Sequence, residues 1–166
     1  MKRKLLPVLF SIYLLFSVCV LVFKLNLSID DMVIGRQINW IPFYAKQITN
    51  VSSHIREIIL NVIVFIPFGI YISMLQSHGR ALNKILPVFL TSLIFEIAQL
   101  VLSIGIFDVT DLITNTLGGI SGIVLYGILV RLFNNKQKAD SVLTFLALAG
   151  TTGMLILTAL LLIANK

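Results

Sequence analysis

The chain has 166 residues, of which 58% are hydrophobic and only 12% charged, with a net charge of +6 and one cysteine, Cys19. A soluble domain carries about 25% charged residues, so the composition excludes a water-covered globule, and it equally excludes a disordered chain and a disulfide scaffold. What remains is an all-α, polytopic integral membrane bundle, read as a single domain over residues 1–166.

A spanning helix needs about 17–25 apolar residues, and five stretches meet that pattern. The first, 5–23, carries no charge and follows Lys2-Arg3-Lys4. No small-residue cleavage site follows it, so it reads as a retained helix rather than a signal peptide. Cys19 within it reads as a small apolar residue. A long loop, 24–57, comes next, with Trp40, Phe43 and Tyr44 suited to a membrane interface. The remaining spans are 58–75, 85–102, 112–132 and 142–164.

Orientation follows from the basic residues. With the N-terminus inside, eight Lys and Arg fall on the inner side (Lys2, Arg3, Lys4, Arg80, Lys84, Arg131, Lys136, Lys138) and five on the outer (Lys24, Arg36, Lys46, Arg56, Lys166). The positive-inside rule then predicts N-in, C-out, with loop 24–57 and the turn 103–110 outside. The same placement accounts for the net positive charge through anionic lipid, so membrane lipids are expected partners and nucleic acid is not.

Polar residues inside spans are costly and point to function. Ser92, Glu96, Gln99 and Ser103 recur at i, i+4, i+7 and i+11, which draws one stripe along the third helix. Glu96 lies about 9 Å below the outer end of that helix at 1.5 Å per residue. Asp108, Asp111, Asn115, Gly119 and Gly122 form a matching stripe on the fourth helix, and Gly118-x-x-x-Gly122 is a small-residue packing motif. The short turn between these helices makes them antiparallel neighbours whose stripes meet. Asn61 is expected about one turn into the second helix, on a face shared with Phe65, Phe68 and Ile72, and Pro67 is expected to kink it.

Asn61, Glu96, Gln99, Asp108, Asp111 and Asn115 are therefore the candidate pocket residues, opening outward. Pro67, Gly69, Gly118, Gly119 and Gly122 are the candidate packing residues. Structural roles compete with functional ones. Asp108 or Asp111 can cap the fourth helix, and the amides can be interhelical glue. His54 and His78 stand on opposite predicted sides, and no spacing matches a metal loop, a nucleophile elbow or a phosphate-binding loop. No metal and no cofactor are expected.

Four segments carry a family resemblance. Asn61-Val62-Ile63-Val64-Phe65-Ile66-Pro67-Phe68-Gly69 resembles the N-x-x-x-F-x-P-F-G signature of VanZ-like proteins. Phe95-Glu96-Ile97-Ala98-Gln99 is similar to their F-E-x-x-Q segment. The run from Asp108 to Gly119 resembles their D-x-x-D-x-x-x-N-T-x-G-[GA] segment, and Asn39-Trp40-Ile41-Pro42-Phe43 resembles their N-x-x-P-F element. Two positions depart from the pattern: Gly105 stands where many members carry Arg, and Thr110 where many have Asp.

The resemblance implies a bacterial cytoplasmic-membrane protein that lowers susceptibility to glycopeptide antibiotics of the lipid-tailed, teicoplanin type. It hands over no reaction. On this reading the ligand of the pocket is a lipid-tailed glycopeptide or a lipid-linked cell-wall precursor. Two other classes stay open: a membrane-embedded enzyme with Glu96 as general base, and a small proton-coupled transporter. The absence of an internal repeat speaks against the common transporter designs.

Overall fold

The computed structural model describes residues 2–22, 37–43, 51–76 and 79–164. Within them α1 runs over Lys2–Ser17 and continues as a π-helical turn, Val18–Val22. The short strand β1 is Gln37–Asn39. Helix α2 is Val51–Leu75 and α3 is Ala81–Leu102. A second short strand, β2, is Ile106–Asp108, followed directly by α4, Val109–Leu132, and by α5, Lys136–Ala164. Among the described residues, Leu5–Val22, His54–Leu75, Ala81–Leu102 and Val109–Leu132 are long and apolar enough to cross a membrane. Leu15, Ile63, Leu82, Ile94, Leu132 and Phe145 are exposed on the helix faces. That cover suits lipid and would be a liability in water.

The all-α bundle is as the sequence predicts, but each of the five helices starts before its predicted span. Helix α2 begins at Val51 rather than 58, because Ser52, Ser53, His54, Arg56 and Glu57 extend it beyond the apolar run. Hydropathy reports what lipid tolerates, whereas a helix continues as far as its backbone bonds can be satisfied. Asn61 therefore lies ten residues, about 15 Å, from the helix start rather than one turn. Helix α5 begins at Lys136, where the Asn135 side chain accepts the Lys138 N–H at 3.2 Å. Helix α4 begins at Val109, behind an Asp108 cap whose side chain accepts from the Thr110 N–H at 2.7 Å. Most of loop 24–57 lies outside the described residues, as do Tyr44, His78, Lys24, Arg36 and Lys46.

The tightest approach in the bundle is between α2 and α4. A Cβ added at Gly118 would sit 2.4 Å from the Val62 carbonyl oxygen, and one at Gly122 would sit 2.0 Å from that of Ile66. Seen from the other helix, a Cβ at Gly69 would lie 1.9 Å from the Gly119 carbonyl oxygen. Only Gly119, about 100° further round α4, turns its own face to α3, where an added Cβ would meet Val88 Cγ1 at 2.3 Å. The expectation that the glycines close α3 onto α4 is thus corrected. They close α2 onto α4, and α3 enters at one position.

Helix α1 docks on the proline segment of α2. Pro67 has no N–H to offer the Ile63 carbonyl, and the next carbonyl along, Val64, accepts the Tyr13 hydroxyl. Around this contact Phe10 packs on Phe68 and on Tyr71, each at a centroid distance of 5.3 Å, and Phe65 meets Phe95 of α3 at 6.1 Å. The face Asn61, Phe65, Phe68, Ile72 is buried along its whole length. At the far end of α4 the Tyr126 hydroxyl donates to Asp140 Oδ1 at 2.8 Å, which ties α5 to α4.

The two strands pair in parallel, with Gln37 opposite Ile106, Ile38 opposite Phe107 and Asn39 opposite Asp108. The turn that feeds β2 starts at Ser103, the cap of α3, in the left-handed region at φ 57°. This small ladder brings a piece of the loop after α1 onto the start of α4.

Candidate functional site

Alternation of helix direction puts the end of α1, the start of α2, the end of α3 and the start of α4 at one end of the bundle. A cavity of about 200 Å³ opens there. Val20 and Leu21 line it from the π-helical turn, Arg56, Glu57, Leu60 and Asn61 from α2, Phe95, Glu96 and Gln99 from α3, and Asp111 and Asn115 from α4. Arg56 and Leu60 are exposed, whereas Asn61, Glu96, Gln99, Asp111 and Asn115 are buried. The cavity thus has a partly charged rim and a polar floor.

Each floor residue is held by a defined partner where one is resolved. Gln99 donates through Nε2 to the Leu21 carbonyl at 2.8 Å, with Val22 further away at 3.5 Å. Terminal carbonyls of a helix have no intrahelical donor, so Gln99 satisfies the end of α1. Asn115 Nδ2 lies 3.0 Å from Ser92 Oγ, which joins α4 to α3. Asn61 Nδ2 reaches Thr114 Oγ1 at 3.5 Å, and that hydroxyl donates to the Asp111 carbonyl at 3.3 Å. Glu96 Oε2 accepts the backbone N–H of Asp108 at 2.9 Å.

Five of the six candidate pocket residues therefore line one cavity: Asn61, Glu96, Gln99, Asp111 and Asn115. Asp108 does not line it. Its carboxylate caps α4 through Thr110 and takes a hydrogen bond from Asn39 Nδ2 at 3.0 Å. The polar stripe of α3 is buried at Ser92, Glu96 and Gln99, while Ser103 leaves it to become the helix cap.

Several contributors were not among the candidate pocket residues. Asn39 links Asp108 to the turn after β1, since its Oδ1 also accepts the Ile41 N–H at 3.3 Å. The Phe43 N–H donates to Thr110 Oγ1 at 2.9 Å. Phe43 itself sits at φ 59°, a region costly for a bulky residue. Thr110 and Thr114 carried a signal that could have been read: they lie four apart, beside Asp111 and Asn115, in an otherwise apolar helix. Arg56, placed in a loop by the sequence, lines the cavity from within α2. Gly105, the position of the missing Arg, is buried against Gln99, whose Cδ would lie 3.2 Å from an added Cβ.

Two acceptors on the floor lack a hydrogen-bond donor among the described residues: Gln99 Oε1 and Asn115 Oδ1. Both residues are 2% exposed. No group of three His, Cys, Asp or Glu able to hold a metal ion occurs among the described residues.

With this geometry in place, the four motif segments can be seen to meet at one end of the bundle although they are spread from residue 39 to 119. The VanZ/LLP1 family matches residues 10–131. Protein VanZ of Enterococcus faecium is 37% identical over 155 residues, which cover 92% of this chain and 88% of that protein. The chain belongs to the VanZ family. The family match runs from within α1 to the last turn of α4 and stops before α5, so it contains every residue that lines the cavity. No solved structure matches the chain.

Proposed function

We propose that this VanZ-family chain is a multi-pass protein of the bacterial cytoplasmic membrane that lowers susceptibility to teicoplanin-type glycopeptides, and that the cavity is its working site. The observation that carries the reading is the convergence of Asn61, Glu96, Gln99, Asp111 and Asn115, from three helices, on one cavity. Lipid would not tolerate these side chains on an outer face. The family supports the antibiotic class, and the basic-residue count supports placing this end of the bundle outside, where a lipid-tailed antibiotic concentrates.

The size of the cavity narrows the mode of action. Pockets that enclose a drug-sized molecule measure about 300–1,000 Å³, and this one measures about 200 Å³. It suits one polar group of an envelope molecule rather than a whole glycopeptide. Protection would then come from binding a membrane component at the surface that the antibiotic must enter.

Expression in a susceptible bacterium tests the reading. The teicoplanin concentration that stops growth should rise, and the Asn115→Ala variant, inserted at the same level, should not raise it. Unchanged susceptibility with verified membrane insertion would overturn the assignment. Envelope mass spectra with and without the protein should be identical for a binder; a new lipid or precursor species would replace binding with catalysis.

A further inference from the structure

The turn after β1 presents its side chains outward. Trp40, Ile41 and Phe43 are 69%, 61% and 57% exposed, and Pro42 between them is exposed as well. No charged residue occurs from Gln37 to Phe43. Trp40 leans on the buried Phe107 of β2, at a centroid distance of 5.8 Å, and leaves most of its ring uncovered. Contiguous apolar surface of this kind marks an interaction site.

The backbone of the turn points to what it meets. The Ile41 N–H is accepted by Asn39 Oδ1 and the Phe43 N–H by Thr110 Oγ1, while Pro42 has no N–H. The amides at the tip therefore need no water. A turn in water can leave such groups to the solvent, but a turn in lipid must satisfy them within the protein. Phe43 adds a second observation. Its φ of 59° lies in a region that suits glycine and asparagine, and its ring is exposed, so core packing does not account for a phenylalanine there.

Position agrees with the chemistry. Strand β2 lies between Leu102, where one membrane-competent helix ends, and Val109, where the next begins, and β1 pairs with β2. The spans Leu5–Val22 and His54–Leu75 each have an end here too. The turn thus stands where the apolar belt of the bundle stops. That is the depth at which tryptophan rings settle in a bilayer, with the N–H toward the headgroups.

We propose that Trp40, Ile41, Pro42 and Phe43 form a fixed wedge that enters the upper acyl region of the leaflet at the cavity end, and that its partner is lipid. The wedge goes beyond the proposed function. It needs the bundle to be in a membrane, but neither a role in resistance nor a given side for the cavity.

Trp40 is the only tryptophan of the chain, so the wild-type protein carries its own probe. The test is tryptophan fluorescence of the full chain reconstituted in vesicles of phosphatidylglycerol and phosphatidylcholine. Bromine is placed high or low on the acyl chains, or iodide is added to the water on both sides. High bromines should quench Trp40 about threefold more strongly than low ones, as for a ring near the interface. Iodide should quench it several-fold less than it quenches free tryptophan. Iodide quenching as strong as that of free tryptophan would overturn the proposal, because the turn would then face water. Quenching by neither agent would overturn it too, because protein would then cover the turn. Stronger quenching by low bromines would overturn the interfacial depth and the proposal with it. Phe43→Asn keeps a residue suited to φ 59° and removes the ring. Lipid quenching of Trp40 should then fall about twofold, as the wedge loses apolar area. Unchanged quenching in a folded variant would overturn the four residues as one docking unit. The wild-type measurements stand whether or not the variant folds.

Discussion

The backbone N–H of Asp108 donates to Glu96 Oε2 at 2.9 Å, so the carboxylate at the polar end of α3 holds the first residue before α4. Asp108 in turn caps α4 and receives Asn39 from β1. One chain of hydrogen bonds thus runs from the cavity floor to the loop segment above it. Networks of this kind are cooperative, and a break at one member is felt by the rest. The relationship also separates two acidic residues that the sequence grouped together: Asp111 lines the cavity, whereas Asp108 builds its frame.

That separation gives the first prediction. Asp108→Ser keeps an N-cap oxygen and should retain most teicoplanin protection, whereas Asp108→Ala should lower stability by about 1 kcal/mol through loss of the cap. Thermal aggregation in detergent reads the stability, and growth on teicoplanin reads the protection. Loss of protection in a stable Asp108→Ser protein would move Asp108 into the working site.

The glycine seam gives the second. At Gly69 and Gly122 an added Cβ would fall about 2 Å from a backbone carbonyl oxygen of the facing helix. Neither backbone can move without separating α2 from α4. Gly69→Ala and Gly122→Ala should therefore sharply reduce folded protein. Gly127 has open space around it, and Gly127→Ala should be neutral or stabilising by up to about 1 kcal/mol, the helix-propensity gain. Similar yields of all three variants in detergent would contradict the packing.

The sequence made the helices legible and left the frame around the cavity hidden, for physical reasons. Long apolar runs announce helices, and the i, i+4, i+7 spacing of Ser92, Glu96 and Gln99 correctly put one buried face on α3. The pairing of Asn39 with Asp108 left no such trace. The two residues lie 69 positions apart, and three-residue strands are too short for a period to show. The short turn between α3 and α4 suggested that these two helices shared the glycine face. The partner was α2, because Gly118 and Gly122 lie four apart on the side of α4 turned away from Val88. Arg56 was misplaced for a simpler reason: charge was taken to end a helix that in fact continues into the polar region.

The third prediction concerns α1. The Tyr13 hydroxyl donates to the Val64 carbonyl beside Pro67, and Ser17 Oγ donates to the Tyr13 carbonyl at 2.9 Å. Tyr13→Phe removes the first bond and leaves the ring packing in place. It should lower thermal stability by about 1 kcal/mol, the ordinary net value of one hydrogen bond. An unchanged melting point would show that α1 is held by its aromatic contacts alone.

The fourth tests orientation. Ser103 and Lys136 stand at opposite ends of α4, a helix of 24 residues. In a Cys19→Ser background, Ser103→Cys should react with an impermeant thiol reagent added outside intact cells, and Lys136→Cys should react only after the membrane is opened. The reverse pattern would put the cavity on the cytoplasmic side and remove the basis for an outer-leaflet role.

The central claim is that the cavity works through its carboxylates, and Glu96→Gln tests it most directly. Glutamine keeps the length of the side chain and an oxygen that can accept from the Asp108 N–H, so the bundle should insert and fold at wild-type levels. It removes the negative charge and the second acceptor oxygen. The measurement is the teicoplanin concentration that stops growth, in strains matched for membrane-inserted protein. The account predicts that the Glu96→Gln strain is as susceptible as one lacking the protein; full protection at matched levels would contradict it.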